Sequence, residues 1–339
     1  MSTLKVTSWN VEWMDKLYDA SSNPTVQAHK QQRLVNIAEE IRDLDPDVLC
    51  MLEGPKNAAR IRAFCTKQLG GDWTPMTLPD GVSYGIRGRQ YIWFLVKTLL
   101  APQCSLQDPT VWKSFAGTSW EVHYWGSFNS ESHRHYRHPQ VLVIDWQGTR
   151  VELIGMHLKS KFVRGGESDW NAGGQRREVF VTKALKARIK LTTEATNVRA
   201  YLTRRFEQHP SPAILVMGDL NDGPGKEHFE QKYLFFDLIS NVQGDVFLAR
   251  KFLNHALFDF EEDLRWSVRF DDFVSDQNDK PILLDHILFT QALVDGSAPL
   301  QVNPHAGLVE HEVHELINAG HPAAAVTSDH RPVSVKLDA

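Results

Sequence analysis

Five times along this chain a short apolar run stops on one residue suited to metal or phosphate chemistry. The runs are LKVTSW before Asn10, PDVLCML before Glu53, VELIGM before His157, AILVMG before Asp219 and ILL before Asp285. Short runs rich in Val, Ile and Leu read as buried strands, so the chain sets an amide, an imidazole and carboxylates along the edge of a β-core. A further polar cluster, Ser328-Asp329-His330, stands just ahead of the apolar alternation that closes the chain.

The segments between these runs suggest how the core is covered. Residues 27–44 carry Leu34, Ile37, Ala38, Ile41 and Leu44 at helical spacing, and Asp45-Pro46-Asp47 then breaks the helix before the strand that ends at Glu53. A second helix is expected near 57–69, a strand at 91–96 and a long helix over 175–206. Two apolar runs between 140 and 157 flank Gln147-Gly148, a hairpin signal. Strands at 4–10, 213–218, 282–289 and 331–337 complete the scaffold. Hairpin pairs interrupt any regular alternation of strand and helix, which predicts a mostly antiparallel or mixed two-sheet core with helices packed outside.

No linker, repeat or low-complexity tract divides the 339 residues, and chemically similar residues come from both ends, so a single domain is expected. The length beyond a minimal core falls into two insertions, 98–139, which ends in SHRHYRHP, and 225–281, which holds HALFDFEEDLRW and RFDDF. Both are rich in aromatics. Loops over a site often choose its substrate, although packing the insertions onto the body is the commoner use of large aromatic rings.

A formal charge of −5 excludes retention on nucleic acid by general basicity, so a polyanion must be gripped locally. The three cysteines, Cys50, Cys65 and Cys104, lack metal spacing and imply free thiols in a reducing compartment. MSTLK runs into strand pattern without a charged-then-apolar leader, and no apolar stretch approaches ~18 residues. A cytoplasmic protein with no membrane span and no obligate protein partner is expected.

Gly218-Asp219-Leu220-Asn221 is the most specific short motif. In extended backbone residues i and i+2 share a side, so Asp219 and Asn221 face one target while Leu220 enters the core. In Ser328-Asp329-His330 the imidazole is a candidate general base, and Asp285 is placed to fix its tautomer while Asp329 turns toward a cation. Glu53 ends an otherwise buried strand, where an unpaired carboxylate costs several kcal/mol. Asn10 offers a neutral oxygen, and an all-oxygen donor set favours Mg²⁺ or Mn²⁺. If Glu53, Asp219, Asp285 and Asp329 meet, a phosphate is repelled unless a divalent cation joins them. His157, Lys159, Lys161 and Arg137 are then candidates to touch the phosphate, and Arg176 and Arg177, at a helix start, are candidates to reach it.

Taken together and in order, TSWN, LEGP, GMHLKS, GDLND, LLDHILF and TSDH resemble the endonuclease/exonuclease/phosphatase superfamily, which includes pancreatic deoxyribonuclease, exonuclease III-type abasic endonucleases, neutral sphingomyelinases and inositol polyphosphate 5-phosphatases. The resemblance spans Asn10 to His330. It implies an α/β (α+β) four-layer sandwich, two packed mixed β-sheets flanked by helices, and Mg²⁺- or Mn²⁺-dependent hydrolysis of phosphate esters. By the same resemblance Glu53 and Asn10 bind the metal with Asp329 assisting, and His330, oriented by Asp285, deprotonates the attacking water. Asp219 and Asn221 position the nucleophile or support the pentacovalent centre. His157 binds a phosphate oxygen or protonates the leaving group, and Arg137, in Arg-His-Pro, matches a phosphate-contacting Arg-x-Pro segment.

The chain departs from that pattern at two places. Leu52 replaces the usual Gln before the metal-binding Glu, and Arg89 stands where the deoxyribonuclease branch pairs a carboxylate with the equivalent of His157, which favours phosphate binding over an acid role there. Three functions follow. The first is a nuclease, an endonuclease on DNA or RNA, and the second a hydrolase of a small phosphoester such as a nucleotide, phosphosugar or lipid headgroup. The third, a silent binding scaffold, predicts an eroded site, yet all eight site residues from Asn10 to His330 are present.

Overall fold

The computed structural model describes residues 3–78, 86, 88–124, 128–223, 228–233 and 237–339. Its strands are β1 (Thr3–Asn10), β2 (Val48–Gly54), β3 (Trp73–Pro75), β4 (Tyr91–Lys97), β5 (Cys104–Leu106), β6 (Trp120–His123), β7 (Ser130–His133), β8 (Gln140–Trp146), β9 (Thr149–His157), β10 (Ala213–Asp219), β11 (Asn254–His255), β12 (Val268–Asp272), β13 (Gln277–Ile282), β14 (Asp285–Phe289), β15 (Gly307–Val309) and β16 (Val333–Asp338). The helices are α1 (Met14–Leu17), α2 (Pro24–Leu44), α3 (Ala58–Lys67), α4 (Pro109–Ala116), α5 (Gly166–Ala172), α6 (Gly174–Gln208), α7 (His228–Tyr233), α8 (Leu238–Gln243) and α9 (His311–Asn318).

Two six-stranded sheets form the centre, one ordered β15-β16-β1-β2-β4-β3 and the other β11-β14-β10-β9-β8-β5. Each contains one parallel pair, β1 with β2 and β9 with β10, among antiparallel neighbours. Strand alternation divides the apolar residues between layers. In β10, Leu215 and Met217 face the other sheet, while Ile214 and Val216 face α6. Trp9, Leu49 and Met51 of the first sheet pack outward on Leu34, Ile37 and Ile41 of α2 and on Ile61 and Phe64 of α3. Helix, sheet, sheet and helix thus make the four layers expected.

Local chemistry sets the element ends. The Asn23 side chain accepts from the Thr25 and Val26 N–H groups and Pro24 opens α2, which ends as Asp45 turns left-handed at φ 45°. Gln147 and Gly148, at φ 51° and 79°, close the β8–β9 hairpin. The sheets approach closely at Gly155, where a Cβ would sit 2.7 Å from Cys50 Sγ and 3.0 Å from the Phe94 ring. Only a hydrogen fits there.

One strand differs from expectation. The run 282–289 is broken: Ile282 ends β13, which pairs with β12, while Asp285 begins β14 beside β10. Asp285 therefore starts an antiparallel strand rather than following one, and the start of such a strand lies level with the ends of its neighbours. His157, Asp219 and Asp285 occupy one rung across β9, β10 and β14.

Of the described aromatics in residues 98–139, Trp112 and Tyr124 are buried and Phe128 and Tyr136 are exposed. Trp112 of α4 stacks on Tyr201 of α6 with ring centroids 4.2 Å apart, and Trp120 meets His133 and His135 edge-on. In the second insertion Leu238, Ile239 and Val242 of α8 are buried, whereas Phe247 and Phe258 are exposed. Residues 125–127, 225–227 and 234–236 of these insertions lie outside the described residues. Val179, expected on the buried stripe of α6, is 43% exposed, and the buried side there begins at Phe180.

Candidate active site

The ends of β1, β2, β9 and β10 and the start of β14 deliver Asn10, Glu53, His157, Asp219 and Asp285 to the same edge of the two sheets, and the loop before β16 adds His330. All six are buried. Asn10 Nδ2 donates to Asp219 Oδ2 at 3.1 Å and reaches Glu53 Oε1 at 3.5 Å. His157 Nε2 lies 3.3 Å from Asp219 Oδ2 and 3.8 Å from Glu53 Oε1. His330 Nδ1 meets Asp285 Oδ2 at 2.6 Å, which leaves its Nε2 3.9 Å from Asp329 Oδ1.

The backbone is shaped to aim these groups. Glu53 has φ 57° at a register shift between β2 and β4, a bulge that redirects its side chain. Gly218 has φ 142°, and a Cβ on it would lie 1.8 Å from the Met156 carbonyl oxygen, so the Gly of GDLN is a steric requirement of the β9–β10 contact. Asn221 is not in extended backbone, as the i, i+2 reading supposed. It turns at φ 54°, its N–H donates to Asp219 Oδ1 at 2.8 Å and its Nδ2 to the Leu158 carbonyl at 3.1 Å. The turn, not strand alternation, brings Asn221 beside Asp219, while Leu220 is buried as expected.

Several supporting groups carry no motif of their own. Glu12 and Trp13 take positive φ, and the Trp13 N–H donates to Glu53 Oε2 at 2.8 Å. Ser328 Oγ donates to the Asn10 carbonyl at 2.6 Å and accepts the His330 N–H at 3.0 Å, and Trp9 Nε1 donates to the His330 carbonyl. Nothing in the residue types Glu12 and Trp13 signals their left-handed backbone, so the sequence offers no sign of the first pair.

Charge is unevenly matched here. Burial, with Asp285 nearby, pushes the Asp219 carboxyl up to about 7. Burial alone would lower His330, but the Asp285 carboxylate, with Asp219 and Asp329 beyond it, outweighs that and raises the imidazole to about 10. Burial, then Arg137 and His330, holds His157 well below its usual range, so it is a neutral ring. Asp285 Oδ1 and His157 Nδ1 are buried without a hydrogen-bond partner among the described residues.

Those observations fit a hard divalent cation. The carboxylates exceed the cations paired with them, and their donors are oxygens. Among the described residues no three His, Cys, Asp or Glu side chains are grouped to hold a metal by themselves. Glu53 could hold such an ion. Asn10 turns its oxygen to the Glu12 N–H, at 3.0 Å, and its N–H groups to the carboxylates. The Asp329 side chain is 59% exposed at the rim.

The basic residues divide. Arg137 is 8% exposed and spans the turn after β9, donating to the His157 and Leu158 carbonyls at 3.0 and 2.6 Å and to Gln90 Oε1 at 2.7 Å. Two of its five N–H donors remain. Lys159 is half-buried beside it, its Nζ 2.7 Å from the Ser160 carbonyl. Lys161 is held by Asp222 and Glu230. Arg176 is exposed and bound to Asp169 and Ser168 of α5, and Arg177 donates to the Trp170 carbonyl. Arg89 does not stand opposite His157: it is clamped by Asp15 and Asp19, and Gln90 directly precedes Tyr91 and bonds Arg137.

Solved structures share this fold. Truncated TDP2 from Caenorhabditis elegans superposes with a TM-score of 0.51 at 15% identity, covering 99% of this chain and 98% of that one. D. rerio TDP2 complexed with a single-strand DNA product gives 0.50 at 13%, covering both chains completely. Mannosyl-6-phosphatase Bt3783 from Bacteroides thetaiotaomicron gives 0.51 at 13%, covering 99% and 100%. At these identities the likeness is one of fold. No protein-family model matches the chain, and no curated protein matches its sequence. Among the described residues no helix is long and apolar enough to cross a membrane.

Proposed function

We propose that this chain is a divalent-metal-dependent hydrolase of phosphate esters, a phosphodiesterase that cuts DNA or RNA internally with Mg²⁺ or Mn²⁺. The observation that carries the reading is the meeting of Asn10, Glu53, His157 and Asp219 with the His330–Asp285 pair at one sheet edge. The single-strand DNA product held by the D. rerio TDP2 of the same fold supports a nucleic-acid substrate.

The residues divide the work. Glu53 would hold the metal, with Asn10 and Asp329 flanking it, and such an ion would supply Lewis-acid polarisation of the phosphoryl group and positive charge for the departing oxygen. Asp285 fixes the His330 tautomer through Nδ1, so Nε2 is the atom that takes the proton from the attacking water. Asp285, with Asp219 and Asp329 beyond it, raises the His330 pKa, and a cation that offset Asp219 and Asp329 would ease the imidazole toward its base form. Asp219, oriented by the Asn221 N–H, positions the water, and neutral His157 contacts a phosphate oxygen. Arg137 and Lys159 bind the phosphate behind it, and Arg176 is the outermost candidate. The whole chain acts as one catalytic domain whose insertions select the substrate, in the cytoplasm, where three free cysteines persist.

A second reading keeps the machinery and replaces the polymer by a small phosphoester. The matching fold of the mannosyl-6-phosphatase and the net charge of −5 favour it. Parallel assays on plasmid DNA, RNA and a panel of phosphosugars and nucleotides, each with Mg²⁺, Mn²⁺ or a chelator, test both. Metal-dependent nicking that Glu53→Ala and His330→Ala abolish is the expected outcome. Turnover that survives the chelator or both substitutions overturns the assignment.

A further inference from the structure

The sequence-wide charge of −5 conceals a local reversal. A cleft of about 760 Å³ opens beside Arg137, lined by Arg134, Arg137, Lys159 and Lys190, with Tyr136 and Ser132 among the other lining groups; no Asp or Glu is among its described lining residues, while Glu131 and Glu194 stand behind Lys190 and His133. Arg137 and Lys159 border the catalytic edge, because Arg137 bonds the carbonyls of His157 and Leu158. Arg134 and Lys190 come from elsewhere, Arg134 just after β7 in the first insertion and Lys190 from the middle of α6. Lys190 is steadied by Glu131, 3.2 Å away. Arg134 is exposed and has no hydrogen bond or ion pair to any described residue.

A single phosphate at the catalytic edge has use for the first two cations. Lys190 already pairs with Glu131, whereas exposed Arg134 is open to a substrate that brings further anions. Tyr136, 43% exposed, presents its ring 5.7 Å from the Arg137 guanidinium, and an aromatic face within a cationic groove suits the bases of a strand as well as its backbone.

We propose that this cleft is a second phosphate subsite, where Arg134, Lys159 and Lys190 hold the backbone of a nucleotide strand whose reacting phosphate sits at His157 and Asp219. The proposal rests on the phosphodiesterase reading and names its substrate as an oligonucleotide rather than a one-phosphate ester. The first insertion, through Arg134 and Tyr136, supplies this preference.

The test is binding, read without turnover. Fluorescence anisotropy in chelator compares a single-stranded 12-mer, in deoxy and ribo forms, with a dinucleotide that carries one phosphodiester. The full chain is used, alone and as Arg134→Ala and Arg134→Lys. The subsite predicts that the 12-mer binds at least about tenfold tighter than the dinucleotide and that Arg134→Ala removes most of the gain. It also predicts that the slope of log affinity against log salt falls by about 0.7 in Arg134→Ala, while Arg134→Lys keeps it. Equal affinity for 12-mer and dinucleotide, or an Arg134→Ala protein with unchanged affinity and slope, overturns the subsite. Adding Mg²⁺ afterwards reports on the parent reading separately: a 12-mer that binds as predicted and stays intact overturns the nuclease and leaves the subsite standing.

Discussion

Glu152 and Asp219 are buried toward opposite ends of the same sheet and are treated in opposite ways. Glu152, 1% exposed on β9, accepts from Tyr201 Oη at 3.0 Å, Arg205 Nε at 3.1 Å and Arg150 Nε at 2.7 Å. Asp219, 2% exposed at the end of β10, receives an amide N–H from Asn10, a backbone N–H from Asn221 and the neutral ring of His157. No guanidinium or ammonium reaches it among the described residues. The fold therefore can match a buried carboxylate with cations, and does so where the carboxylate only joins strand to helix. At the site edge it leaves the carboxylate short of a guanidinium or ammonium partner, a deficit that the proposed metal would offset.

The largest expected effect lies on the site side. His330→Gln removes the base and lowers kcat by about a thousandfold, measured as steady-state nicking with circular dichroism to confirm the fold. The matched end should behave in reverse. Glu152→Ala leaves Arg205 and the Tyr201 hydroxyl without their acceptor and lowers unfolding free energy by about 2–3 kcal/mol in urea titrations, with kcat retained. Comparable losses of kcat in both variants would erase the distinction between the two ends.

Asp219→Asn sharpens it. The folded pKa of about 7 stands above the ordinary 3.8, so the native state holds this proton more tightly than the unfolded chain. The contribution is fully present below about pH 4 and is lost as pH rises through 7. In chelator, Asp219→Asn should therefore be more stable than the parent at pH 8, by on the order of 1–2 kcal/mol, with the difference vanishing near pH 4 while activity falls. A variant less stable than its parent at pH 8 would place Asp219 with Glu152. The smallest effect is at Gln90. Gln90→Ala removes one hydrogen bond to Arg137 and raises KM about two- to fivefold with little change in kcat.

Much of this contrast is legible in the sequence, because apolar strands ending on polar residues mark both the layers and the edge. Asn10, Glu53, His157 and Asp219 are found that way. Asp285 is misplaced within its strand because the ILL run ends β13 at Ile282 and then links it to β14, which begins only at Asp285, and composition does not show where one hairpin stops and the next strand begins. Asn221 is reached through a left-handed turn, which strand alternation does not describe. Arg89 reads as a catalytic neighbour by position alone, and only packing shows Asp15 and Asp19 claiming it. Glu194 is hidden for another reason: helical spacing puts this acid on the buried face of α6, where it accepts the Lys159 N–H at 2.8 Å and faces His133 at 3.0 Å, a pairing that charge patterning treats as solvated.

The central claim is that the carboxylate-rich edge is made to take a hard cation through Glu53. Calorimetric titration of Mn²⁺ into the parent protein and Glu53→Gln tests it most directly. The account predicts saturable binding by the parent and affinity at least about tenfold weaker in Glu53→Gln. Equal Mn²⁺ affinity in the two proteins, or no binding by the parent, would contradict it.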